Sequence, residues 1–325
     1  MQLPISTMRY DITMPLLDGR VQVPGVDLVP TPTGAMVFNE VPALQSGDFG
    51  LWDLNLGYVL PAIEAGWEIV GLPLMIKRKP VYTFIFARAD AGIETPKDLE
   101  DKRIGSGSYP TSITVWTAGL LQHRHGVDIT KLHWMVTNNR RVFPLHVDQP
   151  TVMPSNEVTD GAGPVGPLAR LMSGDVDAII TDISDGPAFE MLESSPVVKR
   201  VFPNYRDEDL ALWKEAGIHT PMHQMVMSRK LDREDPELAR RVYDAFVEAK
   251  RLAYIDAVND RAGFSLMYQR EAWVEQEKVW GDPWVYGVKD DMGALDTYLT
   301  YNVEQGLTKQ RLSLEDWMAA STLDT

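Results

Sequence analysis

The stretch GSGSYPTSITVW, residues 105–116, places small hydroxyl side chains and glycines where a strand is predicted to become a helix. A helix that begins near residues 111–114 leaves several backbone N–H groups unpaired at the positive end of its dipole. Such an end suits a carboxylate or a phosphate. Plain capping of the helix is the alternative, but capping needs only one hydroxyl, and four are present within seven residues. We therefore expect an anion site that includes Ser106, Ser108, Thr111 and Ser112.

The densest positive cluster in this half of the chain is KRKP, residues 77–80, at the end of an apolar run. An arginine can hold a carboxylate through two parallel hydrogen bonds, which a lysine cannot do. Alternation along an extended chain directs Arg78 away from the face shared by Lys77 and Lys79. We expect Arg78 to contact a ligand and the two lysines to form a solvated turn. A solvated Arg78 is the alternative.

Histidine at the start of the predicted strand HQMVM suggests acid–base chemistry. His223 is therefore a candidate proton donor, and a packed, hydrogen-bonded core histidine is the alternative. His219 lies four residues earlier in a strand or loop, a spacing that does not bring two ligands to one metal ion. No metal site is predicted.

Acidic and aromatic residues also end two predicted strands. Asp182 and Asp185 follow the buried strand DAIIT, where they supply either a functional carboxylate or turn chemistry. Trp52 and Asp53 end the strand FGLWDL. Trp52 is suited either to stacking on an aromatic ring or to the core, and both residues are candidates for ligand contact.

Strands and helices alternate along most of the chain, a pattern typical of parallel α/β architecture. The prediction is two lobes: residues 1–100 with 216–325 in one, and residues 101–215 in the other. Residues 138–167 read as a long loop. Ligands of parallel sheets bind beside the carboxyl ends of strands, so the expected site is a cleft between the lobes.

Composition excludes several classes of protein. The 31 Lys and Arg against 46 Asp and Glu give a net charge of −15, which argues against nucleic acid and anionic membranes as partners. Cysteine is absent, which excludes disulfides, thiolate catalysis and iron–sulfur clusters. The N-terminus lacks an export signal, and no apolar run approaches the roughly 18 residues of a membrane span. The sequence predicts a cytoplasmic protein, or a periplasmic one if a leader was removed.

Nucleotide and hydrolase motifs are missing as well: the chain has no GxGxxG, GxxxxGK[ST], GxSxG or HExxH pattern. No cofactor is therefore predicted.

Ordered segments along nearly the whole chain resemble 4,5-dihydroxyphthalate decarboxylases. They include YDITMPLLDGRVQVPGVDL, DLEDKRIG, VWTAGLLQHRHGVD, GDVDAIIT, GIHTPMHQMVMSRKL and WGDPWVYGV. The resemblance implies a type II periplasmic-binding-protein fold of two α/β lobes, an aromatic acid in the cleft, and loss of carbon dioxide. A small aromatic or organic carboxylate is then the expected partner, and a homo-oligomer is left open.

The same resemblance suggests individual residues. Positions that match the family pattern are Asp11, Arg78, Tyr109, Thr114, Trp116 and His223. The chain departs from the pattern at Ile12–Thr13, Val81–Tyr82 and Ser108, and Tyr82 is retained as a substrate contact.

Two classes of function follow from this interpretation. As a cofactor-free lyase, the protein would use His223 as proton donor and Asp182 to hold or deprotonate a ring hydroxyl. Arg78 and residues 106–114 would bind carboxylates. As a binding module, it would be a transport receptor or sensor that closes on a carboxylate without changing it. A thiamine-precursor synthase would need a histidine-rich or cysteine-rich iron site, and the sequence has none.

Overall fold

The computed structural model describes residues 1–31, 41–136, 151–152, 165–180, 182, 186–259 and 266–325. Asp185 and most of the predicted loop at residues 138–167 lie outside the described residues.

Helices occupy much of the described chain. They are α1 (Met14–Leu17), α2 (Val41–Ser46), α3 (Leu56–Glu64), α4 (Ser112–His125), α5 (Val165–Ser173), α6 (Gly186–Ser194), α7 (Tyr205–Ala216), α8 (Arg229–Glu234), α9 (Leu238–Val258), α10 (Gln269–Trp280), α11 (Met292–Glu304) and α12 (Leu314–Trp317). Short 3-10 helices cover Asp11–Thr13, Tyr82–Phe84, Pro96–Leu99, Ile129–Lys131 and Ala320–Thr322. Among these residues no helix has both the length and the apolar character that crossing a membrane requires.

Strands alternate with the helices. They are β1 (Gln2–Ser6), β2 (Asp27–Pro30), β3 (Leu51–Asn55), β4 (Ile69–Gly71), β5 (Lys77–Arg78), β6 (Ile85–Arg88), β7 (Arg103–Ser106), β8 (His133–Val136), β9 (Thr151–Val152), β10 (Ala178–Ile180), β11 (Val198–Arg200) and β12 (Pro221–Ser228).

The chain forms two compact units. Unit 1 comprises Met1–Arg78, Gly217–Thr297 and Leu312–Thr325, and unit 2 comprises Lys79–Ala216 and Tyr298–Arg311. These bounds differ from the expected lobes in two places. Residues 79–100 group with unit 2 because β6 pairs with β10 and β11. Residues 298–311 do so because Tyr298 and Tyr301 pack on Trp116 of α4.

The sheet of unit 1 has the strand order β2-β1-β3-β12-β4, and β5 also pairs with β12. Strand β12 is antiparallel to its neighbours and buried along its whole length. Helix α9 covers this sheet, because its apolar residues recur at helical spacing and enter one core with Met225 and Met227 of β12. The buried residues of α9 include Leu238, Val242, Ala245, Phe246 and Ala249.

The sheet of unit 2 has the order β11-β6-β10-β7-β8-β9. Strands β10, β7, β8 and β9 are parallel, and β6 is antiparallel to both of its partners. Helix α4 follows β7 and is buried from Ser112 to Leu121. It ends at Gly126, whose φ of +66° is the left-handed conformation that glycine adopts readily. A Cβ on Gly119 would lie 2.1 Å from the Tyr301 ring, so only glycine permits this approach of α11 to α4.

Candidate functional site

The antiparallel pairing of β3 with β12 brings Asp53 and His223 together. In the register of this pair Asp53 is opposite Met225, and His223 is opposite Asn55. Opposed residues share a face of the sheet, so residues two positions apart on neighbouring strands are diagonal neighbours. Asp53 and His223 have this relation, whereas Trp52 projects to the other face.

The contact between the two side chains is a short hydrogen bond. His223 Nδ1 lies 2.6 Å from Asp53 Oδ1, with Asp53 fully buried and His223 8% exposed. The second carboxylate oxygen of Asp53 lies 3.4 Å from Thr7 Oγ1 and 3.3 Å from the backbone N of Met8, both of which can donate to it. Thr7 directly follows β1, the parallel neighbour of β3. The carboxylate is therefore held by His223 of β12 and by two residues of the segment that follows β1.

This arrangement supports proton transfer at the other ring nitrogen. When Asp53 accepts the Nδ1 proton, the neutral imidazole presents Nε2 as an acceptor, and the imidazolium presents it as a donor. Asp53 also fixes the ring orientation and stabilises the positive charge. In the sequence, Asp53 and His223 are separate candidates. The partnership follows from strand pairing, which neither local pattern reveals.

Arg78 lies beside the same strand but has partners within unit 1. Its guanidinium forms an ion pair with Asp291 and donates to the backbone oxygens of His219 and Val285. Both terminal nitrogens are therefore engaged by the protein, and the arginine is buried. A ligand carboxylate at Arg78 would have to compete with Asp291. Burial lowers the pKa of His219 to about 4, which leaves that ring neutral beside the cation at pH 7.

In unit 2, the predicted anion site is a chain of hydroxyls, of which Ser106 and Thr114 are buried and Thr111 is half-buried. Thr111 Oγ1 lies 2.9 Å from Thr114 Oγ1, and Thr114 Oγ1 lies 3.3 Å from Ser106 Oγ. Ser106 in turn donates to the backbone oxygen of Ser108 at 3.3 Å. The chain thus connects the end of β7 with the first turn of α4. Thr111 is the N-cap residue, yet its side chain makes no capping hydrogen bond.

Tyr109 closes this segment with an aromatic surface. Its ring centroid lies 5.5 Å from that of Trp134 on β8, with the planes tilted by 43°. Burial raises the pKa of Tyr109 to about 12, so its hydroxyl remains a neutral donor at physiological pH. Trp134 is not among the candidates that the sequence predicts. The parallel pairing of β7 and β8, which sets Ser106 opposite Val136, is what places that ring near the loop.

Asp182 follows β10 in unit 2 and is half-buried. It forms an ion pair with Lys79, whose Nζ also lies 5.2 Å from the centroid of the Phe84 ring. The sequence predicts that Lys79 lies in a solvated turn. The structure makes it the partner of a candidate functional carboxylate.

Two predicted aromatic contacts lie in the cores of their units. Trp52 is 4% exposed and meets the Phe49 ring edge-on at 6.1 Å. Tyr82 is 1% exposed, and its hydroxyl lies 3.2 Å from His125 Nε2. Burial raises the pKa of Tyr82 above its ordinary value. Both residues have the packing expected of core aromatics.

Ser112 is also buried, at the first position of α4. A cluster of three or more side chains suited to metal binding is not found in the described part of the chain.

Comparison with known proteins defines the class of fold first. The periplasmic aliphatic sulphonate binding protein SsuA from Escherichia coli superimposes with a TM-score of 0.52 at 15% identity. The match covers 100% of this chain and 99% of that one. The family described as NMT1/THI5 like matches residues 26–151. The predicted periplasmic-binding-protein fold is confirmed.

Two relatives are more similar in sequence to this chain than SsuA is. A 4,5-dihydroxyphthalate decarboxylase of Comamonas testosteroni is 24% identical over 334 residues, which cover 100% of this chain and 98% of that protein. The protein of the same name from Pseudomonas putida is 27% identical over 183 residues, 55% of this chain and 70% of that protein. The resemblance to this group, predicted from the ordered segments, is confirmed.

Proposed function

We propose that this protein is a cofactor-free decarboxylase of a hydroxylated aromatic carboxylic acid such as 4,5-dihydroxyphthalate. The observation that carries the proposal is the hydrogen-bonded pair of Asp53 and His223. A histidine oriented by a buried carboxylate can deliver a proton, whereas simple ligand binding has no need of one. The full-length similarity to a protein named as a decarboxylase supports the same chemistry.

The reaction requires an electron sink, and a phenol para to the carboxylate supplies it. Loss of the phenolic proton sends electron density into the ring, and the carbon that bears the carboxylate takes a proton from His223 Nε2. The bond to the carboxylate then breaks, and its electron pair returns to the ring. Carbon dioxide leaves and aromaticity is restored. The base that accepted the phenolic proton returns it to the phenolate, and His223 regains a proton from water. The net change is one proton consumed and one carbon dioxide released.

Asp53 acts on this step through His223. It holds the imidazole in the tautomer that presents Nε2, and it stabilises the imidazolium that donates the proton. Because Asp53 is fully buried, it is a positioning residue in this proposal rather than a substrate contact.

The roles assigned to unit 2 are those of binding and of a base. The hydroxyl chain of Ser106, Thr111 and Thr114 lies at the positive N-terminal end of α4 and is suited to a carboxylate. Asp182, oriented by Lys79, is suited to accept the proton of a ring hydroxyl.

The second candidate is a solute-binding protein or sensor for a small aromatic or organic carboxylate. The fold favours it, because the similar solved structure is a periplasmic sulphonate-binding protein. An enzyme of this kind would work in the cytoplasm, and a transport receptor would work in the periplasm. The two candidates differ in whether carbon dioxide is produced.

The deciding experiment incubates the protein with a panel of phthalic and hydroxybenzoic acids. Carbon dioxide release and the shift of the melting temperature are followed in parallel. Release with at least one acid supports the decarboxylase. A thermal shift without release from any acid supports the binding protein and overturns the proposed reaction.

A further inference from the structure

The loop that follows β1, residues 7–10, carries an arginine without a partner. Arg9 is exposed, and within the described ranges its guanidinium forms no ion pair and no hydrogen bond. The other arginines of unit 1 in those ranges, apart from Arg270, each bind a carboxylate or a backbone oxygen. The reaction outlined above does not use Arg9.

The two residues that precede Arg9 contact the carboxylate that orients His223. Thr7 Oγ1 lies 3.4 Å and the backbone N of Met8 lies 3.3 Å from Asp53 Oδ2. The other oxygen of Asp53 lies 2.6 Å from His223 Nδ1. Consecutive Cα atoms are about 3.8 Å apart, so Arg9 begins one residue beyond a direct contact with Asp53. These contacts place the backbone of Arg9 beside the Asp53–His223 pair.

A tight turn with Arg9 at its centre fixes the local backbone. The backbone N of Tyr10 donates to the backbone oxygen of Met8 at 3.0 Å, which is the hydrogen bond of a three-residue γ-turn. Thr13 Oγ1 donates to the same oxygen at 3.3 Å and to the backbone oxygen of Tyr10 at 3.0 Å. Thr13 is buried, and its neighbour Ile12 belongs to the core of unit 1. The exposed side chain of Arg9 therefore starts from a backbone that is held on both sides.

The direction of the strands brings Arg9 to the same edge of the sheet as His223. Strands β1 and β3 are parallel, so Arg9, just after β1, and Asp53, near the end of β3, lie at one edge. Strand β12 is antiparallel to β3, which brings the start of β12 and His223 to that edge as well. Ligands of open α/β sheets bind outside the carboxyl ends of the strands. Arg9 is therefore on the edge where a ligand is expected.

We infer that Arg9 binds the acid group of an organic anion beside His223. The inference rests on the proposed function, because it needs a ligand acid at this pair, and it adds a cation that the reaction outlined above lacks. A guanidinium is charged at every physiological pH, and its parallel N–H groups match the two oxygens of a carboxylate. Arg78, the arginine that the sequence predicts for this task, already has Asp291 as its partner.

A permanent positive charge at this position complements the histidine. The guanidinium does not exchange protons near neutral pH, so Arg9 contributes to affinity and not to proton transfer. A cation is needed there because the carboxylate of Asp53 repels an anion that approaches His223. Arg9 can bind the anion without breaking an existing ion pair, whereas Arg78 would first have to leave Asp291.

The test compares a charged ligand with a neutral ligand of nearly the same shape. Binding of benzoate and of benzamide is measured by calorimetry for the wild type, Arg9→Gln and Arg9→Lys. We expect the wild type to prefer benzoate, and Arg9→Gln to weaken benzoate binding about tenfold and benzamide binding by less than about twofold. Arg9→Lys should retain part of the preference, because an ammonium group keeps the charge but lacks the two parallel hydrogen bonds.

The matched control is Arg270→Gln in the same unit. Arg270 is likewise exposed, its guanidinium has no partner in the part of the chain that the structure describes, and it lies on α10. Arg270→Gln changes the net charge equally and should leave both affinities unchanged. Equal losses of benzoate binding in Arg9→Gln and Arg270→Gln would indicate a general effect of net charge and would overturn the inference. Circular dichroism and melting temperature report whether each variant is folded.

A wild type that does not prefer benzoate, or an Arg9→Gln variant that keeps the full preference, would also overturn the role of Arg9. Failure of the proposed reaction gives a different result. If the wild type releases carbon dioxide while Arg9→Gln binds benzoate normally, the inference alone fails. If the preference depends on Arg9 in a protein that never releases carbon dioxide, the anion site stands and the decarboxylase fails.

Discussion

The two units carry different kinds of polar group. They lie on the β12 face in unit 1 and at the start of α4 in unit 2. The first holds ionisable groups, with Asp53 and His223 in direct contact. The second holds neutral hydroxyls, with Ser106, Thr111 and Thr114 bonded to one another.

The two kinds of group are suited to different tasks: the ionisable groups to proton transfer and the hydroxyls to ligand binding. A histidine–carboxylate pair can exchange a proton with a ligand near neutral pH, whereas a hydroxyl cannot. Hydroxyls and helix amides bind an anion without carrying net charge, so they avoid the large cost of an uncompensated buried cation. We therefore expect substitutions in unit 1 to affect turnover, and substitutions at the hydroxyl chain to affect affinity.

The largest effect should come from His223→Gln. It removes the proton donor while keeping a polar side chain of similar size, so carbon dioxide release should fall by about 10²–10⁴-fold. Thermal shift with a bound acid should persist. The control is His133→Gln, which removes an exposed histidine of unit 2. Full turnover by His223→Gln would show that His223 is not the proton donor, and unit 1 would then have no special role in turnover.

The next largest effect should come from the buried ion pair of Arg78 with Asp291 in unit 1. Arg78→Met leaves Asp291 buried without its partner, and loss of one member of a buried ion pair costs about 3–5 kcal/mol. The free energy of unfolding in urea should fall by that amount and recover largely in the double variant Arg78→Met/Asp291→Leu. A loss below about 0.5 kcal/mol, the size typical of exposed pairs, would show that the pair is not structural.

The pH dependence of stability examines the core of unit 2. Burial raises the pKa of Asp209 to about 7, although the backbone N–H groups of Val81 and Tyr82 oppose the shift. In the unfolded chain the pKa is about 3.9, so between these values the unfolded state binds fewer protons than the folded state. Stability should therefore fall as pH rises from 4 to 7, by at most about 1.4 kcal/mol per pH unit from this group.

Asp209→Asn should remove that slope, as measured by urea unfolding at several pH values. Asp207→Asn, at an exposed position two residues earlier, should leave it unchanged. An identical slope in wild type and Asp209→Asn would contradict the assignment to this carboxyl.

The smallest effect compares two buried threonines of α4. Thr114→Val breaks the hydroxyl chain and should weaken carboxylate binding by about 3–10-fold, the equivalent of one hydrogen bond. The Thr117 hydroxyl has no hydrogen-bond partner within the described ranges. Thr117→Val should therefore preserve affinity and stabilise the fold by about 1 kcal/mol. The same loss of affinity in both variants would indicate a packing effect rather than loss of the anion site.

Local patterns predicted many elements correctly. The strand FGLWDL and the helix that begins after residue 111 both appear in the structure. Each depends on neighbours within a few residues, through alternation, capping or helical spacing. The resemblance to the decarboxylases rests on ordered segments and was likewise accessible from the sequence.

Partnerships between distant residues could not be predicted in the same way. His223 and Asp53 are 170 positions apart, Arg78 and Asp291 are 213 apart, and Lys79 and Asp182 are 103 apart. Strand order and register determine these contacts, and no local pattern encodes them. The sequence by itself determined which residues are chemically capable and which elements carry them. Only the tertiary structure decided which charges neutralise each other, because long-range pairing sets the distance between groups and electrostatic energy depends on that distance.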